Sequence, residues 1–381
     1  MAILPGSTLG MLGGGQLGRM FVIAARTMGY EVLVLDPDAN SPAGKIASRH
    51  LEAAYDDREA LDDLARHCAA ISTEFENIPA DTLEYLARSI PVHPSASALR
   101  IAQNRVLEKQ FFNQQGLNTT PFLAINTEAD LAQAKNFEYP AILKTATFGY
   151  DGKGQFVCNS FGELCDAYDK IFAEDCVLEK KIDLAMEVSV VLCRSETGDV
   201  DCFPVAQNDH HNGILDLSAA PAGFSRETGV EVIQAARNIA DGLDYCGVLA
   251  VEFFISTDEQ VLVNEMAPRP HNSGHFTLDA CETSQFEQQV RMMCGIPAGS
   301  SRQHSAVVMW NILGDIWPQD GSPDWGKVLR QGNMKLHLYG KTEARAGRKM
   351  GHINCLASDT TEARRQLDDL MVKLGAAHSS N

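Results

Sequence analysis

The first ninety residues alternate short, wholly apolar runs with amphipathic stretches. A chain of that pattern buries its strands only as a parallel sheet covered by helices. Ser7–Leu12 reads as one strand, followed by Gly13-Gly14-Gly15-Gln16-Leu17-Gly18. Leu17, Met20, Phe21, Ala24 and Met28 then recur at helical spacing until Gly29. Val32–Leu35 is continuously apolar, a helix covers Arg58–His67, and Ala69–Glu74 completes a βαβ pattern with right-handed crossovers.

Ile90-Pro91-Val92-His93-Pro94 ends that pattern, so the sequence predicts a first domain over 1–94. A helix from about Ser97 to Gln115 and strands at Ala141–Thr145 and Cys176–Glu179 read as a small α+β module over 95–184. The rest, 185–381, carries strands near Glu187–Arg194 and Val200–Val205, a helix at Glu227–Leu243, and two strong strands, Gly247–Ile255 and Gln260–Glu265. Strands near Ala306–Asn311, Met334–Tyr339 and His352–Ala357 and a final helix follow. A length of 381 residues is in keeping with two or three domains.

Composition narrows the function. With 32 basic and 50 acidic residues the formal charge is −18, which disfavours a nucleic-acid or anionic-membrane binder. A few Lys and Arg concentrated locally can still hold a small anion. No apolar run approaches the ~20 residues of a membrane span, and no signal peptide is read. Ten cysteines without a CxxC pair predict free thiols in a reducing, cytoplasmic compartment. Cys246 and Trp310 read as core.

Three constellations carry chemistry. Gly13, Gly15 and Gly18 satisfy GxGxxG between a strand and a helix, and Asp36 imitates the acid that binds ribose in dinucleotide sites. The same residues also read as a phosphate cradle, with Arg19 beside it, or as plain tight-turn glycines. Lys144 precedes Phe148-Gly149-Tyr150-Asp151-Gly152-Lys153-Gly154-Gln155, which reads either as a phosphate-covering flap or as a hairpin turn at Asp151-Gly152. Glu252 and Glu265 become cross-strand neighbours if their hairpin centres between Asp258 and Glu259. Paired carboxylates among apolar neighbours suit Mg²⁺ bound together with substrate phosphates, and the alternative is a solvated acidic face. Cations then cluster at Pro268-Arg269-Pro270-His271-Asn272-Ser273-Gly274-His275 and at Lys341–His352, which suggests an anionic ligand. His210 and His211 stand alone and read as structural.

Taken together, Gly-Gly-Gly-Gln-Leu-Gly-Arg-Met at 13–20, Ser-Thr-Glu-Phe-Glu-Asn at 72–77, Phe-Gly-Tyr-Asp-Gly-Lys-Gly-Gln at 148–155, Asn-Glu-Met-Ala-Pro-Arg-Pro-His-Asn-Ser-Gly-His at 264–275 and Gly-Arg-Lys-Met-Gly-His at 347–352 resemble the ATP-grasp superfamily. Within it they resemble the 5-(carboxyamino)imidazole ribonucleotide synthases over nearly the whole chain. The resemblance implies an α/β fold of three domains: a Rossmann-like N-terminal domain, a small α+β lid and a larger α+β domain with a C-terminal substrate-binding part. It implies that ATP, bicarbonate and 5-aminoimidazole ribonucleotide are converted, through carboxyphosphate, to the N-carboxylated ribonucleotide, ADP and phosphate.

Roles follow by matching position. Arg105, Lys144, Gly149, Tyr150, Asp151, Gly152, Lys153, Gly154 and Gln155 match ATP contacts, with Lys144 on the phosphates and 149–155 as the flap. Glu179, Lys180, Lys181 and Ile182 match the strand that receives adenine through main-chain bonds, Glu187 the ribose contact, and His210 and Asn264 further nucleotide-site residues. Glu252 and Glu265 match Mg²⁺ ligands. Arg269, His271 and Asn272 match a bicarbonate pocket. Gly15, Gln16, Leu17 and Glu74 match ribonucleotide contacts, with Lys341, Arg345 and Arg348 on its phosphate or on the intermediate. Asp151 matches a polar partner of the reacting amine. A homodimer, with a downstream mutase consuming the product, is implied as well.

Three positions depart from the pattern: Ala267 where many ATP-grasp enzymes carry Asn, Asn104 in place of an acid before Arg105, and Ala346 in place of proline. Competing readings are another ATP-grasp ligase (a formate-dependent glycinamide ribonucleotide formyltransferase or a biotin carboxylase), a nicotinamide dehydrogenase built on Gly13–Gly18 and Asp36, and a non-catalytic nucleotide sensor.

Overall fold

The structure, a computed structural model, describes residues 2–147, 154–171 and 175–376. The N-terminal part is a parallel sheet of order β3-β2-β1-β4-β5. Its elements are β1 (Thr8–Leu12), α1 (Gln16–Thr27), β2 (Glu31–Leu35), β3 (Arg49–Leu51), α2 (Arg58–His67), β4 (Ala70–Thr73), α3 (Ala80–Ala87) and β5 (Val92–His93). The expected βαβ order is present because Leu9, Met11, Leu12 and Val32–Leu35 are buried on both sheet faces, between α1 on one side and α2 and α3 on the other.

The next part holds α4 (Ala96–Ala102), α5 (Arg105–Gln114), β6 (Phe122–Ile125), α6 (Glu128–Gln133), β7 (Ala141–Thr145), β8 (Gln155–Cys158), α7 (Phe161–Lys170) and β9 (Cys176–Lys180). Its four strands form an antiparallel sheet, β6-β9-β7-β8, in which β7 and β8 are a hairpin. The single helix expected over about Ser97–Gln115 is two. Asn104 leaves the helical region (φ −132°, ψ 113°), and its side chain accepts the amides of Val106 and Leu107 at 2.9 and 3.1 Å. The residue that departs from the family's acid thus starts α5 and sets Arg105 at its first turn. The packing also differs from the boundary expected at 95. Ala98, Phe111 and Phe112 enter the core built by Val188, Ile239 and Phe253, whereas the lid sheet closes its own core around Leu143, Leu164 and Leu178.

The remaining elements are β10 (Leu184–Arg194), β11 (Val200–Cys202), β12 (Ala206–His211), β13 (Ile214–Ala220), α8 (Arg226–Gly242), β14 (Gly247–Ser256), β15 (Val261–Ala267), α9 (Thr277–Ala280), α10 (Gln285–Met293), β16 (Ala306–Leu313), α11 (Gly326–Leu329), β17 (Met334–Leu338), β18 (Lys349–Ala357) and α12 (Thr360–Leu374). Their strands join in one sheet of order β15-β14-β10-β12-β13-β16-β18-β17, with β11 beside β10. The C-terminal strands therefore continue the same sheet as the hairpin that carries Glu252 and Glu265. Helix α10 reaches back to the first domain: Val290 and Met293 pack with Leu9 and Phe21, and Gln289 Nε2 donates to Ser72 Oγ at 2.7 Å. Cys246 and Trp310 are buried as expected.

The Asn104 cap yields a stability prediction. Asn104→Ala is expected to destabilise the protein by about 1 kcal/mol in urea denaturation, and Asn104→Asp to keep most of the stability. Equal losses in both variants would remove capping as the reason for the break.

Candidate functional site

A cavity of about 1010 Å³ opens where the three parts meet. On its N-terminal side the glycine turn does not await an external anion. The Gly18 amide donates to Glu74 Oε2 at 2.6 Å, and the Gly15 amide adds to it. A Cβ on Gly15 would lie 2.1 Å from Glu74 Oε1, so glycine is required for this approach. The start of α1 is satisfied by the protein's own carboxylate. Burial still outweighs these amides and pushes Glu74 up to about 7. Asp36 is consumed in the same way: it accepts the Gly14 amide at 2.6 Å and the Tyr55 hydroxyl at 2.8 Å. The dinucleotide reading of Gly13–Gly18 and Asp36 is therefore overturned, because the acid meant for ribose is occupied by Gly14 and Tyr55, and the Gly15 and Gly18 amides meant for pyrophosphate are occupied by Glu74.

The opposite wall holds buried charge. On β7 and β9, Ile142 pairs with Glu179, so Lys144 lies diagonally across from Glu179 on the same sheet face. Lys144 Nζ meets Glu179 Oε2 at 2.9 Å, and Lys109 Nζ reaches Glu179 Oε1 at 3.2 Å from α5. Burial works against this carboxylate, but the two lysines win and hold it at about 2. Arg105 Nη1 donates to Glu265 Oε2 at 2.9 Å. Glu108 accepts the Met266 amide at 2.7 Å, and burial pushes its carboxyl up to about 8. Lys180 and Lys181 follow on the strand, but their amides donate to Pro121 and Pro140 carbonyls. The main-chain contact expected at 179–182 is thereby narrowed to the Ile182 amide and the carbonyls of this segment. Gly149, Tyr150, Asp151, Gly152 and Lys153 lie outside the described residues. Gly154 and Gln155 enter the β7–β8 hairpin, with Gln155 on the cavity.

Glu252 and Glu265 face each other across β14 and β15. The expected pair is present, but for a reason the sequence did not reveal. Near the turn Phe253 pairs with Val263 and Ile255 with Val261, a register that would set Glu252 against Asn264. A β-bulge between Glu252 and Phe253 shifts the ladder and brings the acids together. Both Asn264 and Glu265 line the cavity. Burial and the neighbouring Glu265 push Glu252 up to about 7, whereas Arg105 overcomes burial at Glu265 and lowers it. Two carboxylates so placed fit a hard dication, which would let both ionise, and oxygen donors alone suit Mg²⁺. Among the described residues no group of three or more His, Cys, Asp or Glu is arranged for a metal. The pair therefore fits an ion that takes its remaining ligands from phosphate and water.

The segment after β15 completes this wall. Arg269 forks onto Glu76, Nε to Oε2 at 2.6 Å and Nη2 to Oε1 at 3.1 Å, and it outweighs burial to hold Glu76 at about 2. His271 Nε2 lies 3.6 Å from Glu252 Oε1, and burial together with the Arg269 charge lowers its pKa well below the ordinary value. Asn272 is paired with Asn311 through two reciprocal side-chain hydrogen bonds, Asn272 Nδ2 donating to Asn311 Oδ1 at 2.9 Å and Asn311 Nδ2 to Asn272 Oδ1 at 2.7 Å. His210 is not alone: its Nδ1 lies 2.9 Å from Glu187 Oε2, and against burial the carboxylates of Glu187 and Glu252 raise its pKa. On the last wall Lys341 Nζ donates to the Lys349 carbonyl at 2.7 Å and Arg348 Nη1 to the Glu343 carbonyl at 2.9 Å. Arg348 N–H closes a turn onto Arg345 O at 2.9 Å, with Gly347 at φ 72°. Ala346 occupies the second position, which proline favours in such turns, and the turn forms without it.

Of the described residues expected at the site, all but Gly15 and Gly154 line this one cavity. Nine Lys or Arg face seven Glu there, and burial pushes Glu74, Glu108 and Glu252 toward their neutral forms. A strongly acidic chain thus presents a cationic interior suited to phosphates. Sequence reasoning missed Glu76, Glu108 and Lys109. Glu76 sat inside a quoted motif, whereas Glu108 and Lys109 look like ordinary helical surface charges until α5 is docked.

Comparisons with known proteins agree with this geometry. Residues 6–103 match the ribonucleotide synthetase preATP-grasp domain, 110–286 the ATP-grasp domain, and 307–366 the phosphoribosylaminoimidazole carboxylase C-terminal domain. The N5-carboxyaminoimidazole ribonucleotide synthase of Brucella melitensis is 44% identical over 355 residues, covering 92% of this chain and 97% of that one. The Bacillus subtilis enzyme is 42% identical over 362 residues, covering 94% of each. A crystal structure of an N5-carboxyaminoimidazole ribonucleotide synthetase with ADP superposes with a TM-score of 0.91 at 42% identity, covering 98% of each chain. The Aspergillus clavatus synthase, in complex with ADP and 5-aminoimidazole ribonucleotide, superposes with a TM-score of 0.88 at 31% identity, covering 97% of this chain and 98% of that one.

Glu76 and Glu179 are both held at about 2 against an ordinary 4.5. A depressed carboxyl stabilises the fold above its unfolded value and loses that contribution as pH falls through its folded one. Stability in urea is therefore expected to fall as pH drops from about 4.5 toward 2. Glu179→Gln, which leaves Lys109 and Lys144 buried without their counter-charge, is expected to cost about 3–5 kcal/mol at neutral pH. An unchanged urea midpoint would refute the triad's structural weight.

Proposed function

The chain belongs to the N5-carboxyaminoimidazole ribonucleotide synthase family of ATP-grasp ligases, and from that premise we propose how its cavity performs the reaction. The enzyme carboxylates 5-aminoimidazole ribonucleotide with bicarbonate at the expense of ATP, in purine biosynthesis. The observation that carries the assignment of parts is the meeting of three separate chemistries in one cavity. These are a lysine- and arginine-rich wall on β7 and α5, a facing acid pair on β14 and β15, and a basic loop before β18.

Bicarbonate is a poor electrophile. An oxygen of bicarbonate attacks the γ-phosphorus of ATP, the bond to the β-phosphate oxygen breaks, and ADP leaves. The carboxyphosphate formed releases CO₂ and phosphate, the bicarbonate proton going to phosphate. The amine of the ribonucleotide adds to CO₂ and gives up its proton. Carboxyphosphate would be lost in open water, so reactants must be held in contact and shielded.

Lys144 and Arg105 hold the triphosphate, and Gly149–Gln155 close over it. The Ile182 amide and the Lys180–Lys181 carbonyls receive adenine, with Glu187 on the ribose and His210 and Asn264 beside the nucleotide. Glu252 and Glu265 would hold Mg²⁺, which supplies charge neutralisation on the phosphates when bound. Arg269 and His271 bind bicarbonate, Arg269 through the guanidinium edge that Glu76 leaves open, and Asn272 orients that pocket through Asn311. Gln16, Leu17 and Glu74 hold the ribonucleotide, whose phosphate goes to Lys341, Arg345 and Arg348, since the Gly15 and Gly18 amides already bind Glu74. Asp151 partners the amine. The protein acts in the cytoplasm as a homodimer, and a mutase consumes its product. Its ten cysteines are free thiols, which suits a reducing compartment.

Phosphate release from ATP is expected to require both bicarbonate and 5-aminoimidazole ribonucleotide, and omission assays read this directly. Turnover indifferent to the ribonucleotide would defeat the reading. Glu265→Gln should lower turnover about 10²-fold or more through lost charge neutralisation. Lys341→Ala should mainly raise the KM for the ribonucleotide, and an equal loss of basal ATP hydrolysis would move that lysine to the nucleotide.

A further inference from the structure

Behind His271 runs a line of buried hydrogen bonds that the roles above leave unused. The Ser273 amide donates to His271 Nδ1 at 3.3 Å, and Ser273 Oγ lies 2.9 Å from the same nitrogen. An amide N–H only donates, so Nδ1 presents its lone pair and the proton of the neutral ring sits on Nε2. The bonds further back run in the same direction. Ser218 Oγ donates to Asn208 Oδ1 at 2.8 Å, Asn208 Nδ2 to Ser189 Oγ at 3.0 Å, and Ser189 Oγ to Ser273 Oγ at 2.7 Å. The Ser273 hydroxyl proton is thereby directed to Nδ1. All four of these side chains are buried, so water does not compete for their bonds. Gln285, fully buried, grips the backbone of the same histidine. It accepts the His271 amide at 2.9 Å, donates to the His271 carbonyl at 2.8 Å, and gives its other proton to His275 Nδ1 at 3.0 Å.

We propose that Ser273, Ser189, Asn208 and Gln285 are positioning residues that hold His271 as the Nε2–H tautomer. His271 then offers a proton, from the Glu252 side of the cavity, to an anionic oxygen of bicarbonate or of its phosphorylated form. It neither accepts a proton nor ligates a metal through Nε2. The proposal rests on the bicarbonate role given to His271 above. A pre-oriented donor in a desolvated site stabilises developing charge without reorganisation, and a ring free to adopt the other tautomer would present a repelling lone pair instead.

The direct test is a long-range proton–nitrogen correlation spectrum of the full chain labelled with ¹⁵N-histidine. The His271 signals are identified by their loss in His271→Gln. Nδ1 should appear unprotonated and Nε2 protonated, and the reverse pattern would overturn the proposal. Kinetics give the second readout. Asn208→Asp removes the donor to Ser189, lets the serine protons turn toward the new carboxylate, and leaves only the Ser273 amide to hold the tautomer. It and Ser273→Ala should each raise the KM for bicarbonate about tenfold while the KM for ATP changes less than about twofold. Bicarbonate KM unchanged in both variants, or equal changes in both KM values, would count against it. If a variant does not fold, the spectrum of the unaltered protein still decides. Failure of bicarbonate to stimulate turnover in the unaltered protein would instead strike the carboxylase assignment, and leave the tautomer reading to the spectrum.

Discussion

Carboxylates carried into the desolvated seam between the domains must find a cation or amide dipoles or else shift toward their neutral forms, and the pairings hold the site together. Glu76 meets Arg269, Glu179 meets Lys109 and Lys144, Glu265 meets Arg105, and Glu74 meets the start of α1. An unpaired charge there would be strongly destabilising. Two of the pairs, Glu76 with Arg269 and Arg105 with Glu265, join residues far apart in sequence, and the first ties the N-terminal domain to the segment after β15. The relative seating of the domains and the charge pattern of the cavity are therefore one problem with one solution.

The same logic explains why the glycine turn resembles a dinucleotide site without being one. A helix start with free amides attracts an anion, and here the nearest anion is Glu74, carried by the next strand of the same sheet. With the Gly15 and Gly18 amides engaged internally, the same cavity still presents the side-chain cations Lys341, Arg345 and Arg348. Neutral hydrogen bonds do a parallel job in the third domain. Gln285 ties α10 to the segment after β15, the Asn272–Asn311 pair ties that segment to β16, and Gln289 ties α10 to β14 and to Ser72 of the first domain, so the side chains that line the cavity stand on buried supports.

Much of the architecture was legible in the residues. The strands dominated by apolar runs (β1, β2, β14 and β15) were found because burial on both faces leaves few polar residues in them, and in β14 and β15 the exceptions Glu252, Asn264 and Glu265 line the cavity. Polar strands were not: β12, Ala-Gln-Asn-Asp-His-His, turns Asn208 inward to a buried hydrogen-bond network and has no apolar signature. The break at Asn104 was missed because a cap and a helix interior look alike when only apolar spacing is counted. The acid pair was found through a register that holds on one side of a bulge and not on the other.

By its sequence alone the chain determined its local periods, its order of strands and helices, and the set of ionisable and glycine motifs that define its chemistry, since these depend on neighbours a few residues apart. Only the tertiary structure decided which charge meets which, that Glu74 rather than a ligand satisfies α1, and which nitrogen of His271 carries its proton. Electrostatic pairing and hydrogen-bond direction depend on distance through space, and residues such as Glu76 and Arg269 are brought within reach only after the domains have closed on one another.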